Sequence, residues 1–232
     1  MIKLGIIGAM TVEVETLKEN LANMTVTEKA GMDFCQGTLE GLQVVVVQCG
    51  VGKVNAALCV QILCDCFGVT HVVNTGVAGS LDPQLNIGDL VISRDAMYHD
   101  FDCSPMGYAL GQVPGMTVKA YPADEKLTDY AFEAAQAVHS GHVRIGRIAS
   151  GDQFVSSKEQ KQKIVENTGA SCTEMEGTAM AHAAWRNGVP FVVIRAISDK
   201  ADDSAQMDYP TFEVIAAKRC AAVTQTLAKM LK

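Results

Sequence analysis

Short apolar runs ending near glycine alternate with stretches of helical period along the chain. Lys3–Ile7 reads as a buried strand closed by Gly8, after which Val12, Leu17 and Leu21 fall on one helix face. Leu42–Gln48 is almost continuously apolar, the pattern of a strand covered on both sides. A helix over Ala56–Phe67 follows, then a strand over Val69–Asn74, a glycine turn at Gly76–Gly79 and a strand over Asp89–Ser93. The second half continues with helix Glu125–His139, strand His142–Ser150, helix Ser157–Asn167 and a short strand near Ala170–Thr173. Helix Gly177–Asn187, strand Pro190–Ile197 and a terminal helix over Thr211–Leu231 complete it. This alternation predicts one α/β domain over residues 1–232, a three-layer α/β/α sandwich around a largely parallel, mixed central sheet. Residues 94–122 do not fit: they carry Pro105, Pro114 and Pro122 with little period. Connections of that length are usually functional or lie against a partner.

Composition narrows the class. The 232 residues are 48% hydrophobic and 19% charged, an ordinary globular balance, and the formal net charge is -7. With no basic run, binding of long nucleic acid is not expected, because phosphate neutralisation needs clustered Lys and Arg. Cys49, Cys59, Cys64 and Cys66 lie in or beside apolar segments, where thiols act as small hydrophobes. Cys64 and Cys66 are too close together for an ordinary bridge or a zinc knuckle. The eight cysteines are therefore expected to be reduced, as in a cytosol. The apolar run Leu4–Met10 is too short for a signal peptide or membrane span, so a cytoplasmic protein without membrane attachment is expected.

The glycine turns invite a nucleotide-binding reading. Gly5-Ile6-Ile7-Gly8 lacks dinucleotide spacing, and Gly50-Val51-Gly52 has Asn55 where the third glycine belongs. Gly52-Lys53 resembles the end of a phosphate loop, but Val54 replaces the hydroxyl residue. Tight turns explain some of these glycines, although such turns also line the crevice of open α/β sheets.

Acids at strand ends are more informative. Glu13 lies in the first turns of the first helix, where an acid also suits the helix dipole. Glu176 stands where a strand passes into the small-residue helix, again a position that a simple cap would explain. Arg195 interrupts a strand that otherwise reads as buried, and Ser198-Asp199 ends it. A buried arginine needs an anionic partner, and Glu176 or Asp199 could supply it. Acids at strand ends without a metal-ligand cluster suit chemistry at a carbon that becomes cationic. Glycoside cleavage is one such case, needing an acid for the leaving group and a base for water. The histidines show no ligand spacing, and no Gly-x-Ser-x-Gly elbow is present. Neither metal nor cofactor is expected.

Six segments resemble a known family: Gly5–Met10, Gly50–Asn55, Asn74–Gly79, Ser150–Phe154, Glu174–Thr178 and Val192–Asp199. They are similar to the bacterial methylthioadenosine/S-adenosylhomocysteine nucleosidases, of the purine nucleoside phosphorylase-like superfamily. The resemblance implies a nucleoside phosphorylase/hydrolase-like fold and hydrolysis of an adenine–ribose bond. It makes Glu13 the group that activates water. Asp199, steadied by Ser198, becomes the donor to adenine N7. Glu176, beside Met175, would grip the ribose hydroxyls, with Arg195 near the water and ribose. Phe154 would stack on the base, the backbone of Val155 would read its Watson–Crick edge, and Ala78 and Gly79 would approach base and sugar. Met10, Val51 and Tyr209 would line a slot for the 5′-alkylthio group. Cys103, Met106 and Pro114, on the long loop, would close the same slot in a neighbouring subunit, which implies a homodimer.

The chain departs from the family at Val77, Met106 and Gly177, where Ser, a larger aromatic and Ala are common. It also has Thr11 and Val12 where relatives carry acids. A phosphorylase remains the nearest rival, but an anion site needs several basic groups, and Glu13 stands where such a site would form. Aminodeoxyfutalosine is an alternative substrate. AMP nucleosidase and a non-catalytic nucleoside-binding module are more distant readings.

Overall fold

A computed structural model describes residues 1–232. Ten strands form one mixed sheet: β1 (Lys3–Gly8), β2 (Ala22–Lys29), β3 (Met32–Leu39), β4 (Leu42–Gln48), β5 (His71–Ser80), β6 (Leu90–Tyr98), β7 (Tyr121–Pro122), β8 (Val143–Ser150), β9 (Cys172–Glu174) and β10 (Phe191–Asp199). The helices are α1 (Thr11–Glu19), α2 (Lys53–Phe67), α3 (Glu125–Val138), α4 (Lys158–Thr168), α5 (Gly177–Asn187) and α6 (Ala205–Met230). β1 pairs in parallel with β4 and β5, and β5 with β10. Because β10 also pairs with β6, the strands β5, β9, β8, β6 and β10 close into a ring.

Both faces of the central strands are buried, which explains their near-continuous apolar runs. On one face, Cys59, Val60 and Leu63 of α2 and Met180 and Ala184 of α5 pack over Ile7, Val45 and Val193. On the other, Leu17 of α1, Ala131 of α3 and Val223 of α6 cover Leu4, Val46 and Ile194. Two helical layers thus enclose the sheet, as the alternation predicts. All eight cysteines are free, and no helix is long and apolar enough to cross a membrane.

Three differences from the sequence reading bear on the site. Gly76–Gly79 is not a turn, because β5 runs through it to Ser80. Small residues there make room for neighbouring carboxylates. A Cβ at Gly76 would collide with Glu13, and one at Gly79 would come within 2.8 Å of Asp199 Oδ1. The long connection is also shorter than expected. β6 extends to Tyr98, and Tyr121-Pro122 pairs with Asp95 and Ala96. The terminal helix begins at Ala205, with Pro210 inside it.

Candidate active site

Strand ends β1, β5, β9 and β10 meet around one cleft of about 190 Å³. Glu13, Glu174, Glu176 and Asp199 all line it, without any Lys or Arg among the lining residues. Glu174 and Asp199 end buried strands, Glu13 lies in the first turn of α1 and Glu176 opens α5, and each has 8% or less of its surface exposed. Such burial is costly unless each carboxyl has partners.

Glu13 finds them in backbone. Its Oε2 accepts the N–H groups of Ala9 (2.6 Å) and Met10 (3.0 Å), and its Oε1 accepts that of Val77 at 3.1 Å. The glycine-ended strand turns into α1 there, which aims free N–H groups at the acid. Burial raises the Glu13 pKa, while Arg195 and these three N–H groups pull the other way.

Asp199 ends β10. Its Oδ1 accepts the Ala201 N–H and its Oδ2 the Ser198 hydroxyl, each at 2.8 Å. Burial raises its pKa above the ordinary value despite these donors. Glu176 opens α5, and its Oε1 accepts the Gly52 N–H at 2.7 Å. Burial and the nearby Glu174 charge push Glu176 up to about 8.

Arg195 does not pair with Glu176 or Asp199, the partners its sequence position suggests. It forms a buried ion pair with Glu174 and also donates to Asn74 Oδ1. β9 and β10 flank the same strand, placing Thr173 beside Gly79 and Arg195 beside Gly76. Glu174 also accepts the Ser150 hydroxyl and, at 2.7 Å, the Gly177 N–H. Burial raises the Glu174 pKa, but Arg195 and these donors outweigh it and hold the carboxyl below its ordinary value. Arg195 lies beneath the cleft with 2% exposed.

The remaining wall is apolar. Met10, Val51, Val77, Ala78, Gly79, Phe154, Val155, Met175 and Tyr209 line it. At its mouth, Phe154 is half-exposed and meets the Tyr209 ring edge-on, centroids 5.6 Å apart. The Tyr209 hydroxyl lies 3.1 Å from Met10 Sδ. Of the candidates named from sequence, Glu13, Ser198, Asp199, Glu176 and this wall share one cleft, with Arg195 beneath it. Cys103, Met106 and Pro114 stand apart from the chain's own cleft, and Met106 is 70% exposed. Glu174, Gln153 and Thr173 also line the cleft. Sequence reasoning gave none of them a role, although Glu174 lies two residues from Glu176.

Buried carboxyls of raised pKa around an apolar slot are the equipment of a glycosyl-transferring or hydrolysing enzyme. A family model described as the Phosphorylase superfamily matches residues 3–229. A 5′-methylthioadenosine/S-adenosylhomocysteine nucleosidase of Staphylococcus aureus (strain MRSA252) is 40% identical over 229 residues, covering 98% of this chain and 100% of the relative. A crystal structure of the nucleosidase of that name from Colwellia psychrerythraea 34H, in complex with adenine, superposes with a TM-score of 0.96. It is 39% identical, over 100% of this chain and 96% of that one. The futalosine hydrolase of Helicobacter pylori strain 26695 gives 0.93 at 34% identity, covering 99% and 98%. The chain belongs to the phosphorylase superfamily and, within it, to the methylthioadenosine/S-adenosylhomocysteine nucleosidases.

Proposed function

We propose that the chain hydrolyses the N-glycosidic bond of 5′-methylthioadenosine and S-adenosylhomocysteine, releasing adenine and the corresponding 5-thioribose. The observation carrying this reading is that Glu13 and Asp199, from opposite ends of the chain, line one cleft as buried acids. Cleavage through an oxocarbenium-like state needs one group to take a proton from water and another to protonate the leaving base. Glu13 is the base: the Arg195 charge and three backbone N–H donors favour its carboxylate form against burial, and the donors hold one rotamer. Water attacks C1′ and passes a proton to Glu13. Asp199, whose burial favours the protonated form, gives a proton to N7 of the departing adenine.

Glu176 holds the ribose hydroxyls beside Met175, and Arg195 acts from below through its charge. Phe154 covers the base, Val155 reads its edge through backbone, and Ala78 and Gly79 allow close approach. Met10, Val51 and Tyr209 accept the alkylthio group. Four acids and no cation line the cleft, a poor setting for a phosphate dianion and a suitable one for water.

The protein is read as a single cytoplasmic domain that serves methionine salvage without cofactor or metal. It is also read as a homodimer whose loop carries Cys103, Met106 and Pro114 to the neighbour's slot. The exposure of Met106 away from its own cleft supports that arrangement. The likeness to a futalosine hydrolase favours aminodeoxyfutalosine as the alternative substrate over a phosphorolytic reaction.

The test is chromatographic assay of adenine release from methylthioadenosine, S-adenosylhomocysteine and adenosine, with and without phosphate. Release without phosphate, faster from the thioethers, is expected. A phosphate requirement with formation of ribose 1-phosphate would overturn hydrolysis.

A further inference from the structure

Lys53, of the Gly52-Lys53 pair that resembles a phosphate-loop ending, has no part in the chemistry above. Its surroundings tie together two walls of the cleft. Gly52, at φ +100°, sends its N–H to Glu176 Oε1 at 2.7 Å, in a backbone region that favours glycine. The Lys53 N–H donates to Asp152 Oδ1 at 2.9 Å. The Lys53 ammonium lies 2.7 Å from Asp100 Oδ2 and 3.6 Å from Asp152 Oδ2, and 5.5 Å from the Tyr98 ring centroid. Asp100 Oδ2 also accepts the Asp152 N–H at 2.9 Å. The Lys53 and Asp100 side chains are only 23% and 12% exposed, so solvent screens this pair less than a surface bridge. Asp152 leads directly into Gln153-Phe154-Val155 on the base side of the cleft, while Glu176 lies on the ribose side.

We propose that Lys53 is a positioning residue whose ion pair with Asp100 and Asp152 fixes the separation between Glu176 and the Phe154-Val155 segment. This deepens the nucleoside reading and rests on it. A nucleoside joins base and ribose rigidly, so it profits from both walls together only if their spacing is set beforehand. Adenine alone touches one wall and is indifferent to that spacing.

The test compares Lys53→Met, which keeps the aliphatic stem, with Lys53→Arg and Asp100→Asn. Michaelis constants for methylthioadenosine are read from adenine release, and adenine affinity is read by calorimetry. Lys53→Met is expected to raise KM about tenfold, less than the roughly 10²-fold that a 1 Å misplacement can cost, and to leave adenine affinity within about twofold. Lys53→Arg recovers most of the loss, and Asp100→Asn reproduces it. The double variant Lys53→Met/Asp100→Asn is no worse than either single one, as expected of one shared interaction. An unmoved KM in Lys53→Met overturns the proposal. So does an equal loss of adenine and nucleoside affinity, or additivity in the double variant. If Lys53→Met does not fold, Asp100→Asn decides by the same two readouts. A wild-type protein that releases no adenine from methylthioadenosine overturns the functional reading, and the proposal with it. Wild-type activity with unchanged variants overturns the proposal alone.

Discussion

Glu174, in the cleft wall, and Arg195, beneath it, form an ion pair with almost no solvent contact, with side-chain exposures of 3% and 2%. Its consequence is unequal acids around one cavity. Arg195 and several donors keep Glu174 ionised. Burial and the resulting negative charge push up Glu176, and burial lifts Glu13 and Asp199. The cleft thus holds one ionised carboxylate among three acids of raised pKa within a small volume.

Replacing Glu174 tests that anchor. Glu174→Gln leaves the buried Arg195 charge without its carboxylate, a change that costs about 3–5 kcal/mol. At roughly 2–4 °C per kcal/mol for a domain of this size, Tm should fall by roughly 6–20 °C. Scanning calorimetry reads it, and a shift under about 2 °C would show that the pair is not structural.

Glu176 predicts how stability follows pH. Its pKa is about 8 in the folded chain, above the ordinary 4.5. The native state therefore holds a proton that the unfolded state releases. The stabilisation is fully present below the unfolded pKa and is lost as pH rises through the folded value. Glu13 and Asp199, also raised, act in the same direction. Tm should fall between about pH 5 and pH 8, and Glu176→Gln should flatten that slope. A melting series showing equal slopes in both proteins would remove Glu176 from the account.

Asp199→Asn takes away the proposed proton donor while keeping an oxygen that can accept the Ala201 N–H. A drop in kcat of about 10²–10⁴-fold is expected, together with loss of the alkaline limb of the kcat/KM profile. A pH–rate series checks it, and an unchanged alkaline limb would assign the proton to another group.

Sequence pattern reaches the layered fold because both faces of the central strands are buried and these strands therefore read as apolar runs. Leu42–Gln48 and Gly177–Asn187 have the same limits in sequence and structure. The second of these ends at Gly188 in a left-handed cap, a local signal that glycine carries. The β2–β3 hairpin has no comparable signal, since nearly every β2 residue faces solvent and no alternation marks it. Gly76–Gly79 looks like a turn, but the glycines are there to clear space for carboxylates within a strand. The partner of Arg195 depends on β9 and β10 both pairing with β5, a long-range register that local reading does not reach.

Glu13→Gln separates the proposed activation of water by Glu13 from binding of the nucleoside by the other groups. Its side chain keeps the size of the carboxylate, although an amide nitrogen must then face a backbone N–H donor, at a cost of about 1–3 kcal/mol in stability. Single-turnover adenine release and equilibrium binding of methylthioadenosine should be measured on the same folded sample. Activation of water by Glu13 predicts release slowed by about 10²–10⁴-fold with affinity changed by less than about tenfold. Release at the wild-type rate would contradict it.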